Sequence, residues 1–379
     1  MRPIVELGFI FSTSGTYKRM GQQGLAGARH ALAEVNARSD YPFELRASHF
    51  SPEGHLQRYH EGALAMMDNG IRHLFGTTTS ASRKELIPDL EQKAGLLWYS
   101  CPYEGFESSE NVVYLGGCPN QTLIPLLRYA INAFGPRAML VGSNYIWGWE
   151  SNRIAREVMQ AAHGDVVGER YMHLGSTQCA ELIHNLLCQR PSFVLNNLVG
   201  ESSYAFLHQL DAACAGAGIS LPVLSCNLTE AELGDVGAPE HLRLLSCGPF
   251  FDGVNDAFTQ GQFERHGQRR CSHYYAGTYV AVQLFADALE RTGSDAPRAI
   301  CDYLHAQPHG SVLGRLEISP RNSHSSLPCL IAELKNGRFD VLHSEPKAVL
   351  PDPYLTATDF RDFHCLRAAV PAPRLRIVK

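Results

Sequence analysis

Apolar residues in this chain follow two alternating rhythms. Short, mostly apolar runs, as at 4–11, 71–75, 96–99, 138–142 and 193–198, are separated by longer stretches with apolar residues every third or fourth position. Between 24 and 35 those positions are Leu25, Ala28, Ala31, Leu32 and Val35, one stripe of an amphipathic helix. The pattern predicts strands over 4–11, 43–50, 71–75 and 96–99. Helices over 24–35, 55–68 and 80–92 lie between them, the last with Ser82 and Glu85 at capping-box spacing. The alternation then restarts. Helices are expected over 120–134, 150–162, 179–189 and 202–215, with strands over 138–142, 166–172, 193–198, 223–226 and 242–250. Strands alternating with helices of this length predict βαβ units and parallel sheets. Two such series predict an α/β protein of two doubly wound lobes.

The remainder starts no third lobe. Helices are expected over 274–291 and 297–305, the second with Pro297 at its start. Antiparallel strands are expected over 312–318, 327–334 and 339–344. The economical arrangement returns the chain to the first lobe and crosses once more to finish the second. Crossings then fall near Gln121, Pro249 and Leu327. The expected division is 1–121 plus 250–326 for one lobe and 122–249 plus 327–379 for the other. The tail from Asp359 carries no pattern and is expected to be loosely held.

Composition narrows the function classes. The 379 residues are 45% hydrophobic and 19% charged, enough apolar material for full cores. The formal charge is -5, and no basic run exceeds Arg269-Arg270, which argues against a nucleic-acid surface. No stretch approaches the ~20 apolar residues of a membrane span. An apolar run begins at Ile4 without the charged, long-apolar, small-residue order of a leader peptide. The 11 cysteines are odd in number and form no CxxC. With the missing leader they point to a reducing, cytoplasmic setting.

Ligands of doubly wound sheets sit beyond the carboxyl ends of the strands, and four strand ends here are unusual. Thr77-Thr78-Thr79-Ser80 offers four hydroxyls at a helix start, more than capping by Ser80 or Ser82 requires, so Thr78 and Ser80 become candidates for a polar ligand. Tyr99-Ser100-Cys101-Pro102-Tyr103 reads as a shaped aromatic loop. It serves either as the wall of a small-ligand pocket or as packing over the sheet. Tyr145, Trp147 and Trp149 would project to one side if their loop were extended, as a clamp from the second lobe or an exposed partner surface. Pro249-Phe250 falls at a crossing and reads as hinge, pocket rim or an ordinary turn.

Catalysis finds little support. Cys101 with one of 17 histidines makes a Cys–His pair easy to imagine, but no local nucleophile signature accompanies it. Cys271-Ser272-His273 is too sparse for zinc. The glycines of 21–27 lack GxGxxG spacing and suit close helix packing. No cofactor or metal is expected.

Several motifs resemble the amide-binding negative regulators of aliphatic amidase operons, the AmiC type. These belong to the amide and urea branch of the type I periplasmic-binding-protein, or venus-flytrap, receptors. The similarity spans nearly the whole chain. It rests on Ser80-Ala81-Ser82-Arg83-Lys84, on Cys101-Pro102-Tyr103-Glu104-Gly105-Phe106-Glu107, on Pro119-Asn120-Gln121 and on 142–152. Asn322-Ser323-His324 and Pro351-Asp352-Pro353-Tyr354 continue it. Pro-Tyr-Glu-Gly-Phe-Glu is the most specific string. The resemblance implies two lobes joined by crossover hinge strands, with a short-chain amide or urea-like ligand between them. It implies contacts from Ser80, Tyr99 and Tyr145, and no catalysis. It also implies a partner, an AmiR-like RNA-binding antiterminator released when ligand binds, and leaves a homodimer open. Thr78, Cys101 and Trp147 depart from the family's tyrosine, threonine and tyrosine, so a different small amide, urea or a bulkier neutral compound fits as well. The other readings are a substrate-binding subunit of an amide or urea ABC transporter and a Cys-dependent amidohydrolase.

Overall fold

The computed structural model describes residues 2–362. Cys365 and the rest of the tail lie outside the described residues. The first series runs β1 (Ile4–Ile10), α1 (Lys18–Ala37), β2 (Glu44–Phe50), α2 (Leu56–Asp68), β3 (His73–Gly76), α3 (Ser80–Lys93), β4 (Leu96–Tyr99) and β5 (Val112–Tyr114). The second runs α4 (Leu123–Phe134), β6 (Arg137–Ser143), α5 (Ile146–Ala161), β7 (Asp165–Met172), α6 (Ala180–Gln189), β8 (Phe193–Asn197), α7 (Glu201–Ala217), β9 (Leu221–Ser225), α8 (Leu233–Val236) and β10 (Leu242–Gly248). The chain ends with α9 (Asp256–His266), α10 (His273–Thr292), α11 (Pro297–Ala306), β11 (His309–Ser311), β12 (Gly314–Leu316), β13 (Leu330–Lys335) and β14 (Arg338–Ser344).

These strands build two lobes. One sheet has the order β2-β1-β3-β4-β5, every pair parallel. The other has the order β14-β13-β10-β9-β8-β6-β7. It is parallel from β10 to β7, with β13 and β14 added antiparallel. β11 and β12 form a separate hairpin, so the 312–318 run is not part of either large sheet.

Packing follows from the apolar patterns. α10 is buried on nearly all sides between α1 and the first sheet, as its near-continuous apolar sequence requires. Gly27 permits the α1 contact, since a Cβ there would lie 2.2 Å from the Tyr275 carbonyl O. α1 begins at Lys18, before the stripe that starts at Leu25, because its first turns bury Met20, Gly21 and Gly24, which carry little apolar signal.

The crossings are knit together. Gln121 is buried and its Nε2 donates to the carbonyls of Ser325, at 3.0 Å, and Val349, at 2.8 Å. Isolated bridges pair Tyr114 with His324 and Leu327 with Val349. Phe250 packs in the first lobe against Phe258, with ring centroids 6.1 Å apart. Its neighbour Phe251 packs in the second against Phe339, at 5.1 Å. Pro249 and Phe250 therefore sit in a hinge segment and away from the cleft wall.

Two local expectations change. The capping box is formed by Thr79 and Ser82, one turn earlier than Ser82 and Glu85, because Thr79 takes the extended cap conformation. α5 begins at Ile146, so Trp147 and Trp149 are helical and diverge. Trp147 is buried, whereas Trp149 is 47% exposed with Nε1 donating to Asn144 Oδ1.

Candidate functional site

The two sheets present their carboxyl ends to one inter-lobe cavity. From the first lobe come Thr78, Thr79, Ser80, Cys101 and Pro102, with Tyr17 and Met20 from the start of α1 and Tyr274 from α10. The second lobe adds Tyr145, Trp147, Val199 and Asn227. The space left for the centre of a water-sized molecule is about 20 Å3, so the lobes are closed around room for a few heavy atoms. Tyr17, Cys101, Trp147 and Tyr274 share one continuous apolar cluster with both lobes.

The hydroxyl-rich turn divides its labour. Thr79 Oγ1 accepts from Ser82 N at 3.1 Å, and Ser82 Oγ donates to Thr77 Oγ1 at 2.8 Å. Those three groups close the start of α3 on itself. Thr78 and Ser80 take no part in those bonds and face the cavity, with Thr79 beside them. On the opposite wall, Tyr145 occupies the cap position of α5. Burial raises its hydroxyl pKa, and it interacts with the Tyr17 hydroxyl from the other lobe. Trp147 Nε1 is buried with no hydrogen-bond partner among the described residues. A donor in that position suits a ligand acceptor.

Tyr99 is placed differently from the sequence-based expectation. It does not line the cavity. Its ring packs under the Arg83 guanidinium at 4.6 Å, and the side chain is fully buried in the first-lobe core. Gln121, Pro249 and Phe250 also stand outside the lining. Residues that the sequence reading missed are Tyr17, Met20, Val199, Asn227 and Tyr274. Tyr17, Val199 and Asn227 follow β1, β8 and β9, so the strand-end rule pointed at these loops, although their composition did not stand out. Tyr274 lies inside a long apolar helix and left no signal.

Among the described residues, no aspartate, glutamate, lysine, arginine or histidine lines the cavity. The charges lie behind it. Arg83 Nε donates to Glu107 Oε1 at 2.6 Å, and Lys84 Nζ reaches Glu107 Oε2 at 2.8 Å. Burial pushes the Glu107 carboxyl up, yet the Arg83 and Lys84 charges overcome it and hold the group at about 2. Tyr114 donates to the same carboxylate at 2.9 Å, and Tyr103 hydrogen-bonds His324. This network ties the 80–84, 101–107 and 322–324 motifs into one support under Ser80.

Cys101 lacks the chemistry of a nucleophile. Burial pushes its thiol up to about 12, and its one side-chain hydrogen bond among the described residues runs to the Thr77 carbonyl at 3.7 Å. Among the described residues no His, Cys, Asp and Glu group is arranged to hold a metal ion, and no helix is long and apolar enough to cross a membrane.

A family model described as periplasmic binding protein domain matches residues 5–359. Solved structures agree. A solute-binding protein of an ABC transporter from Rhodopseudomonas palustris HaA2, in complex with p-hydroxybenzoic acid, aligns with TM-score 0.83 and 16% identity over 94% of this chain and 100% of that one. The leucine-binding protein LivK of Thermotoga maritima aligns with TM-score 0.78 and 14% identity over 90% and 98%. LivJ of Streptococcus pneumoniae, in complex with isoleucine, aligns with TM-score 0.77 and 15% identity over 90% and 99%. At these identities the likeness is one of fold.

Proposed function

We propose that this chain, which belongs to the periplasmic binding protein domain family, closes its two lobes on a small uncharged polar molecule such as a short-chain amide or urea. Proteins of this family bind ligands between their lobes and are not enzymes. The observation that carries the finer reading is the cavity wall. It combines hydroxyls from Ser80, Thr78, Tyr17 and Tyr145 with a free indole donor, and contains no ionisable acid or base of the usual kinds. An ammonium group there would lose its water without gaining a counter-charge. A carbonyl with N–H groups finds both donors and acceptors. Neither lobe alone surrounds such a ligand, so binding favours closure.

The role that the comparisons support is solute capture as the substrate-binding subunit of an ABC transporter, the description given to the R. palustris protein. Two observations favour a second reading, a cytoplasmic ligand sensor that restrains an AmiR-like antiterminator. The Pro102–Glu107 string is built into the support of Ser80 through Glu107. Nine of the ten described cysteines are buried free thiols, which suits a reducing compartment.

The test is titration calorimetry with acetamide, propionamide, butyramide and urea against leucine and p-hydroxybenzoate. Binding of an amide or urea with no heat from leucine is the expected result. Binding of leucine or the benzoate alone overturns the uncharged-ligand reading. The two roles separate on whether ligand releases a co-purifying RNA-binding protein or the protein docks on a membrane permease.

A further inference from the structure

Lys18 and Arg19 open α1, and nothing in their own helix favours them there. The first turn has no acidic residue, and Tyr17 at the cap position makes no side-chain hydrogen bond to it. Cations at the positive end of a helix dipole are unfavourable. Their compensation lies on the other lobe. Arg19 Nε and Nη2 donate to Asp235 Oδ2 and Oδ1 at 2.5 and 2.9 Å, a two-pronged pair. Lys18 Nζ reaches Glu201 Oε1 at 3.3 Å. Beside them the backbones touch. Gly200 has a φ of +58°, and a Cβ there would lie 2.5 Å from the Thr16 carbonyl O. Tyr17 and Met20, on the same turn, line the ligand cavity. One short segment thus carries alternate duties, with 16, 18 and 19 gripping the second lobe and 17 and 20 covering the ligand.

We propose that Arg19, acting through Asp235, is a positioning residue that sets ligand affinity by holding the start of α1 against the second lobe over the closed cleft. This rests on the reading of the cleft as the ligand site. Closure pairs two cations that the open form leaves unpaired at the positive end of α1. The fraction of closed protein, and with it the apparent affinity, depends on that pairing. The Arg19 and Asp235 side chains are 38% and 25% exposed, so water screens the pair and its effect is severalfold. Added salt screens it further.

The test uses the full chain and two readouts. Small-angle scattering of ligand-free protein reports lobe closure whatever the ligand, and calorimetry with butyramide reports affinity. Arg19→Glu and Asp235→Arg are each expected to enlarge the radius of gyration and weaken butyramide binding roughly threefold to tenfold. The Arg19→Glu/Asp235→Arg double variant is expected to restore both, with a circular dichroism spectrum and melting temperature close to the parent's. Arg19→Gln is the milder check, since it removes the charge without reversing it, and it should reduce the salt dependence of closure expected of the parent, leaving the part due to Lys18 and Glu201. Single reversals that leave the radius unchanged, or a double variant that restores nothing while folded, overturn the proposal. Salt-independent closure of the parent does the same. If butyramide does not bind but closure follows the charge swap, the positioning role stands and the amide reading falls.

Discussion

Arg83 Nε donates to Glu107 Oε1 at 2.6 Å with both side chains inside the first lobe, a buried ion pair on the first turn of the helix that Ser80 begins. Arg83 also lies over the rings of Tyr99 and Tyr103, at 4.6 and 4.4 Å. Glu104, equally buried, is a second carboxylate 3.5 Å from Arg83, so losing Glu107 weakens the compensation of the guanidinium without removing it. Glu107→Gln is expected to lower unfolding stability by about 1–3 kcal/mol. A joint Arg83→Met/Glu104→Gln/Glu107→Leu replacement, which removes every fully buried charge of the network, should cost less than Arg83→Met alone. Denaturant midpoints at unchanged slope are the measurement. A single-variant loss below ~1 kcal/mol would mean that the pair is neutralised some other way.

Trp147 should separate ligand affinity from stability. In the free protein its Nε1 is a buried donor without a partner. Trp147→Phe removes that unsatisfied group, so the melting temperature should hold or rise. Affinity for a carbonyl ligand should fall by roughly 1–3 kcal/mol, the cost of a lost hydrogen bond in a dry site. Unchanged affinity would show that the ligand does not accept from the indole.

Acid stability follows from buried histidines. Burial pushes His73 and His324 down to about 4 and His273 to about 3, from 6.5. Below pH 6.5 the unfolded chain takes up protons that the folded chain refuses. Stability is therefore full above that value and lost as pH falls toward 4, by up to ~1.4 kcal/mol per pH unit for each group. Glu107, held at about 2, extends the loss below pH 4.5. His273→Leu should flatten the slope between pH 6 and 4 by close to one proton. Urea midpoints across that range measure it, and an unaltered slope counts against burial as the cause.

Two glycines should respond in opposite directions. Gly27→Ala drives a methyl into the Tyr275 carbonyl at 2.2 Å, between α1 and α10, and should cost about 1–3 kcal/mol. Gly216 lies in α7 with nothing within 4 Å of its would-be Cβ. Gly216→Ala should gain roughly 0.5–1 kcal/mol from helix propensity. Thermal melts of the two variants decide the matter.

The two-lobed architecture was legible because its signal is periodic. Long amphipathic or wholly apolar segments such as 274–291 announce themselves. β5, with three residues, was too short to show a period. α9 escaped because it buries little more than Phe258 and Gln262. Within the site, Thr78 and Ser80 were legible as surplus hydroxyls, and the structure indeed spends Thr77, Thr79 and Ser82 on the helix start. Tyr99 misled the reading because a strand-end aromatic has two faces available. The buried Arg83 guanidinium, invisible in local sequence, claims the ring for the interior. Tyr274 was silent because one polar atom in a core-forming helix has no pattern of its own.

The adjacent anchors Phe250 and Phe251 fix where the molecule can bend. Because one ring is embedded in each lobe, neither residue can travel with the opposite body without leaving its own core. At this crossing, one of three, sliding of one lobe along the other is penalised by both aromatic packings at once. An inserted residue at this junction would separate the bearings and let the halves drift, even with every cavity residue intact.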